Sequence, residues 1–193
     1  MDATADYAAA KLALTRTLPA YVSYRVVSHA GAGPFVKDED QTIVVRTRDG
    51  EVVRGKPPSI QIGANSKANY NRDVVDKPPF NPACYAPASA RRDTFEGRSV
   101  EAFELRQTCG RDEDDGDFGT LFIDPQTHAP IAAIGGKTDE SVAVRVVQRY
   151  TPVAGFYMPS ALDVRVKGSG WMSWLDVTAF ERFSDYVFSS AAP

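Results

Sequence analysis

The segment Ala161-Leu-Asp-Val-Arg-Val-Lys167 decides how the rest of the chain is read. Leu162, Val164 and Val166 alternate with Asp163, Arg165 and Lys167. A strand turns successive side chains to opposite faces, so the alternation means one dry face and one wet face. Sheets of this kind are antiparallel and carry a single apolar surface that something must cover. What covers it, a helix of the chain itself or an apolar ligand, is the functional question this sequence poses.

The same pattern extends outward over residues 100–188, with turn residues interrupting it about every ten positions. Val100–Thr108 alternates, placing Phe103, Leu105 and Cys109 on one face and Glu104 and Arg106 on the other. Phe118–Asp124, Ala129–Ile134 and Glu140–Tyr150 read as further strands, the last with Val142, Val144 and Val146 aligned. Then come Tyr157-Met-Pro-Ser160, Ala161–Lys167, Trp171–Phe183 and a closing Tyr186-Val-Phe188. Upstream, Thr42–Arg48 and Glu51–Arg54 flank Asp49-Gly50, a pair suited to the positive φ angles of a tight hairpin. Phe35–Gln41 before it reads as a loop. Tyr21–Val27 reads as the first strand, giving about eight to eleven strands in all.

Residues 2–17 predict a helix, capped by Asp2 or Thr4, rich in Ala and Leu and stopped by Pro19. Tyr7, Leu14 and Leu18 fall on one side of it. Residues 55–94 differ: six prolines among many Asn, Lys and Arg residues predict a mostly irregular segment, with room for one short helix or strand. A connection this long is commonly functional, and a lid and an unstructured insertion are both open readings.

At 193 residues the chain suits one domain with a sizeable core. A formal charge of −3 supplies no basic footprint for nucleic acid, and no apolar run approaches the length of a transmembrane helix. Met1-Asp-Ala-Thr-Ala-Asp6 lacks the basic and apolar regions of a signal peptide. A cytosolic chain would begin this way, and so would an exported one shorn of its leader.

Chemistry-bearing motifs are sparse. The acidic run Asp112-Glu-Asp-Asp-Gly-Asp117 holds enough oxygen ligands for Ca²⁺ but lacks EF-hand spacing, and the expectation is a solvated hairpin tip between two strands. Cys84 and Cys109 read either as a disulfide tying a loop to a strand or as two buried thiols. His29 and His128 lie far apart, and neither metal-ligand spacing nor a nucleophile elbow is present. Cys84 or Cys109 as nucleophile with either histidine as base is conceivable on paper. The expectation is a non-enzymatic protein with no cofactor, no metal and no catalytic residues. The aromatics Trp171, Trp174, Phe180, Phe183, Tyr186 and Phe188 crowd the C-terminus as pocket lining or as core, and odd spacing puts Trp171 and Trp174 on opposite faces of a regular strand.

The order of elements resembles the LolA-like superfamily of periplasmic lipoprotein carriers and lipid-sensing domains. The resemblance rests on the N-terminal helix leading into a Tyr-rich strand, on Gly119-Thr-Leu-Phe-Ile-Asp-Pro-Gln-Thr-His-Ala-Pro-Ile131, on Val146-Val-Gln-Arg-Tyr-Thr-Pro-Val-Ala-Gly-Phe-Tyr-Met-Pro159, and on Phe183-Ser-Asp-Tyr-Val-Phe188. It implies an α+β, mainly antiparallel fold: a strongly curved sheet, or incomplete β-barrel, with the N-terminal helix and a lid segment on its open side. It also implies an exported, periplasmic protein whose partner is a lipid, an acyl chain or a lipid-modified protein. Tyr7, Leu14, Leu18, Tyr24, Phe103, Leu105, Val144, Leu162 and Val164 are the expected cavity residues. The alternative is an envelope scaffold or sensor that grips a protein partner through a sheet edge or the 55–94 segment, with no ligand cavity.

Overall fold

The computed structural model describes residues 3–32, 34–48, 51–56, 80, 82–108, 118–138 and 141–192. One helix, α1 (Ala3–Leu14), precedes ten strands: β1 (Tyr21–Ala32), β2 (Phe35–Arg46), β3 (Glu51–Arg54), β4 (Tyr85–Phe95), β5 (Arg98–Gln107), β6 (Phe118–Ile123), β7 (Pro130–Thr138), β8 (Val142–Val153), β9 (Phe156–Gly168) and β10 (Asp176–Ser189). All ten join one antiparallel sheet in the order β3-β2-β1-β10-β9-β8-β7-β6-β5-β4. The chain therefore meanders from β4 to β10, and β10 returns to pair with β1. The sheet curves into a half-barrel that is not closed, with β3 and β4 as its edges.

Local chemistry explains the turns. Glu96 and Gly97 have φ of 51° and 79°, and Ala154 and Gly155 have 49° and 83°. Two successive positive φ angles match the right-handed twist of the flanking strands, so β4–β5 and β8–β9 close in two residues each. The β6–β7 turn is organised by Asp124, whose Oδ1 accepts from the backbone N–H of Gln126 and of Thr127, both at 2.9 Å. Those hydrogen bonds stabilise the ionised carboxylate and hold its pKa below the usual range. The Asp-turn-Thr step in the quoted 119–131 segment is thus an Asx turn.

Four expectations need correction. The helix ends at Leu14, not near residue 17, as Thr15 turns its hydroxyl back onto Lys11 O at 2.9 Å and Pro19 disfavours helix just before it. Leu18 therefore lies in the connection to β1 and not on the helix. Phe35–Gln41 is strand, not loop, because backbone pairing with β1 runs unbroken from Phe35 to Arg46. Its charges are satisfied across the strands by His29–Asp38 and Arg25–Asp40 contacts, both 2.6 Å. Residues 85–95 form a full edge strand within the segment expected to be mostly irregular. Finally, Trp171 and Trp174 lie in the β9–β10 connection, around a 3₁₀ turn at Gly170–Met172, and not in a strand. That connection folds back so closely that a Cβ on Gly168 would stand 1.9 Å from Met172 O. The expected acidic hairpin tip at 112–117 and the Asp49-Gly50 turn lie outside the described residues.

The core divides in two along the inner face of the sheet. One cluster gathers Val22, Tyr24 and Val26 of β1, Ile43 and Val45 of β2, Met158, Leu162 and Val164 of β9, and Ala179 and Phe183 of β10. The other gathers Tyr7 and Ala10 of α1 with Phe80, Cys84 and Tyr85, and with Phe103, Phe118, Leu121, Ile123, Ala133 and Tyr150 from β5 to β8. A small third cluster, Val100, Ala102, Phe122 and Ala132, occupies the outer face beneath the stacked Phe95 and Phe122 rings, 4.7 Å apart.

Candidate functional site

The inner face is the one large apolar surface, and α1 covers part of it. Tyr7, Ala10 and Leu14 recur at helical spacing and turn inward together. Tyr7 is 4% exposed, its ring sits 5.6 Å from that of Phe103, and its hydroxyl donates to Tyr85 O at 3.1 Å. Burial pushes the Tyr7 hydroxyl up to a pKa of about 12. The Tyr85 hydroxyl accepts in turn from Phe118 N–H at 3.1 Å. Phe80 packs on Tyr85 and Phe118, so three aromatic rings fill the corner beside the helix.

Polar contacts hold both ends of the helix. His128 Nδ1 lies 3.2 Å from Asp6 Oδ1, without hydrogen-bond alignment. Glu101 on β5 is buried nearby, and desolvation first, then the charge of Asp6, raises its carboxyl pKa. His128 itself has φ of 56°, a conformation uncommon outside glycine that aims its ring from the β6–β7 turn toward α1. Beyond the helix, Arg16 donates to Gly155 O at 2.6 Å and lies over the Phe156 ring, 5.0 Å from its centroid.

The nine expected cavity residues all reach the inner face, in two groups rather than one. Tyr24, Leu162 and Val164 belong to the first cluster, with Leu18 and Val144 packed against it. Tyr7 and Phe103 belong to the second, with Leu14 and Leu105 packed against it. Val146 touches both clusters and bridges them.

On β10 the inward set is made by a bulge. Ser23 pairs with Val187 and Arg25 with Ser184, so β10 spends one residue more than β1 between the two pairs. Asp185 takes that position with φ of 56°. The extra residue shifts the parity of everything after it. Ala179, Glu181 and Phe183 face inward before it, and Tyr186 and Phe188 after it. Tyr24 consequently packs between Phe183, edge to face at 6.1 Å, and Tyr186, tilted at 5.5 Å. The Tyr186 hydroxyl donates to Pro159 O at 2.6 Å.

Sequence reasoning missed the polar members of this face. Ser28, Gln148 and Glu181 are 3%, 1% and 0% exposed. Gln148 Nε2 donates to the Tyr150 hydroxyl at 3.0 Å, and desolvation raises the pKa of that phenol. Among the described residues neither Glu181 oxygen has a hydrogen-bond partner, nor does Gln148 Oε1. Desolvation, with a smaller contribution from Glu39, pushes the Glu181 carboxyl up to about 8. The signal was present in parity: Gln148 continues the Val144, Val146 row, and Glu181 lies between Ala179 and Phe183.

Cys84 is buried in the second cluster and is not a free thiol. Thr108 N–H donates to Cys84 O at 2.8 Å, which brings the chain just ahead of Cys109 alongside it. Cys109 lies outside the described residues. Among the described residues no set of three His, Cys, Asp or Glu side chains could hold a metal ion, and no helix is long and apolar enough to cross a membrane.

No family model matches the chain, and no curated protein matches its sequence. Its structure is similar to solved ones. A LolA superfamily protein from Nitrosomonas europaea superposes with a TM-score of 0.55 at 10% identity, over 100% of this chain and 96% of that one. A proposed outer membrane lipoprotein-sorting protein domain from Vibrio parahaemolyticus gives 0.54 at 10% identity, over 97% and 93%. A DUF1329 family protein from Desulfovibrio piger gives 0.53 at 9%, over 98% and 94%. At these identities the likeness speaks for the fold: the chain has a LolA-like fold.

Proposed function

We propose that the half-barrel binds a lipid, an acyl chain or a lipid-modified protein on its inner face, outside the cytoplasm and without catalysis. The observation that carries this reading is the manner in which α1 covers the sheet. Three inward residues, Tyr7, Ala10 and Leu14, dock it on one half of a continuous apolar face. Large apolar side chains contribute roughly 1.5–3 kcal/mol each on burial, whereas fifteen methylenes at about 0.8 kcal/mol contribute roughly 12 kcal/mol before the costs of association. An acyl chain can therefore displace or underlie the helix. The likeness to a lipoprotein-sorting domain supports the same ligand class and an envelope location. Tyr7, Leu14, Leu18, Tyr24, Phe103, Leu105, Val144, Leu162 and Val164 are the proposed contacts. Cys84 and Cys109, the two cysteines of the chain, are proposed to pair, in keeping with an oxidising compartment.

Delipidated protein titrated with a fluorescent fatty acid tests the reading. Saturable uptake is expected at one site, and an absence of uptake refutes it. The released mass in a native-to-denatured mass comparison identifies any lipid carried through purification.

A second reading has an observation of its own. Among the described residues strand β4 pairs with β5 alone, and its residues 88–92 are exposed. An edge strand with such an exposed stretch can accept a partner's strand by backbone pairing. Proline substitution at Ala90 would abolish capture of such a partner and leave fatty-acid uptake intact.

A further inference from the structure

Strand register assembles one cross-sheet row from the pairs Glu39–Ser28, Ser28–Glu181, Glu181–Leu162, Leu162–Gln148, Gln148–Ala133, Ala133–Leu121 and Leu121–Phe103. The row is apolar at its β5–β7 end and polar where it crosses β1, β10 and β8. We propose that Glu181 and Gln148 form a seat within it for the head of a single-chain amphiphile, and that the head is a hydrogen-bond donor, a primary ammonium, on an apolar tail. The inference rests on the lipid-binding reading above and names the chemistry that reading leaves open.

Four observations converge on the seat. Glu181 and Gln148 are 0% and 1% exposed, so their side chains are withdrawn from water. Among the described residues three of their atoms, both Glu181 oxygens and Gln148 Oε1, have no partner, and with Glu181 ionised all three are acceptors. The donor side of Gln148 is already used on the Tyr150 hydroxyl. Finally, only Leu162 separates the two residues along the row. Neighbouring strands lie about 4.8 Å apart, which sets the two backbones roughly 10 Å apart, and side chains on the concave side of a curved sheet converge.

An unpartnered buried polar atom costs about 1–3 kcal/mol, and native folds rarely leave three together. The outer-face guanidinium groups of Arg149 and Arg182 are bound to Glu96 and Asp163 and leave Glu181 unpaired. Among the described residues the ionisable groups coupled to Glu181 are Glu39, Tyr24 and Tyr186, all of them acids, and Glu39 is itself paired with Lys37 at 2.9 Å. A carboxylate beside an amide oxygen calls for a ligand that donates, and an ammonium supplies three donors together with the opposite charge that favours the ionised form of Glu181. Beside the seat, Tyr24, Phe183, Tyr186 and Phe188 form the aromatic wall along which the tail would lie.

The test uses hexadecylamine, hexadecanol and palmitate, three heads on one chain length, each competing with the neutral fluorophore N-phenyl-1-naphthylamine for the intact protein at pH 7.4. Hexadecylamine is expected to displace the fluorophore at about one tenth the concentration of hexadecanol or less, the scale of one charge-assisted hydrogen bond. Palmitate should be weakest. Glu181→Gln should remove the preference for the amine and leave hexadecanol within about twofold. Gln148→Leu should weaken the amine alone, and thermal melts of both variants report on folding. Equal displacement by all three heads overturns the seat, and so does an amine preference that survives both substitutions. Those results leave the lipid-binding reading standing. Failure of the fluorophore and every amphiphile to bind overturns both.

Discussion

The two halves of the inner face are built from the same kind of strands yet solve burial differently. Around β5–β7 the surface is covered by α1, where Tyr7 is answered by Tyr85 O and Tyr85 by Phe118 N–H, while Asp6 Oδ2, Glu101 Oε2 and His128 Nδ1 have no hydrogen-bond partner among the described residues. Around β1, β8 and β10 aromatic rings fill the space, and Glu181 and Gln148 are left with unanswered oxygens. On the proposed reading the first half is a helix–sheet core whose cover can move, and the second is the lining a ligand would meet. The halves differ in the kind of atom left unanswered: an imidazole lies among the carboxylates of the first, whereas all three in the second are oxygens.

Breaking the helix-covered half should give the largest effect. Phe103→Ala removes a fully buried ring beneath Tyr7 and should lower unfolding stability by about 3–5 kcal/mol in a urea titration. Removing the disulfide proposed for Cys84 by Cys84→Ser should cost about 2–4 kcal/mol, and the intact protein should weigh about two mass units less than its reduced form.

The lining half should respond in the opposite direction. Its raised pKa means that the fold tolerates the neutral Glu181 carboxyl better than the charged one. Below an unfolded value of about 4.3 both states hold the proton, and this residue adds no pH dependence. As pH rises toward about 8 the unfolded chain alone has released it, so stability falls through that window and levels off above it. Glu181→Gln should therefore stabilise the apoprotein at pH 8 by on the order of 3 kcal/mol and by much less at pH 5. A flat difference across pH would show that Glu181 ionises freely in the fold.

Smaller effects sharpen the comparison. Tyr7→Phe deletes one hydrogen bond between helix and sheet, worth about 1 kcal/mol. It should speed fatty-acid uptake and lower equilibrium unfolding stability by about 1 kcal/mol. Trp171 and Trp174 are 77% and 72% exposed and belong to neither half. Replacing both with Ala should move stability by no more than about 0.5 kcal/mol.

Much of the fold was legible because strand periodicity is local. Leu162–Val164, Val144–Val146 and Phe103–Leu105 announced a shared apolar face through alternation, though not which face is concave, and the Asp124 turn showed in its residue types. Phe35–Gln41 misled because its charges resemble a loop, although cross-strand partners on β1 satisfy them. Trp171 and Trp174 misled because aromatic residues suggest strand when nothing local reveals that Gly168 lets the connection fold tightly back. The polar seat was half legible. Parity placed Gln148 and Glu181 on the inner rows, but their side-chain types suggested solvent.

The sequence by itself determined that this chain makes an antiparallel sheet with one apolar face and an amphipathic lead helix, because period-two alternation and helical spacing are properties of neighbouring residues. Only the tertiary structure decided which strands stand side by side. It paired β10 with β1 and left β3 and β4 as edges of an open half-barrel. It also decided that the bulge at Asp185 turns Tyr186 and Phe188 inward, and that Ser28, Glu181 and Gln148 fall on one row. Those are outcomes of register between distant segments, and register is set by the packing of the whole sheet.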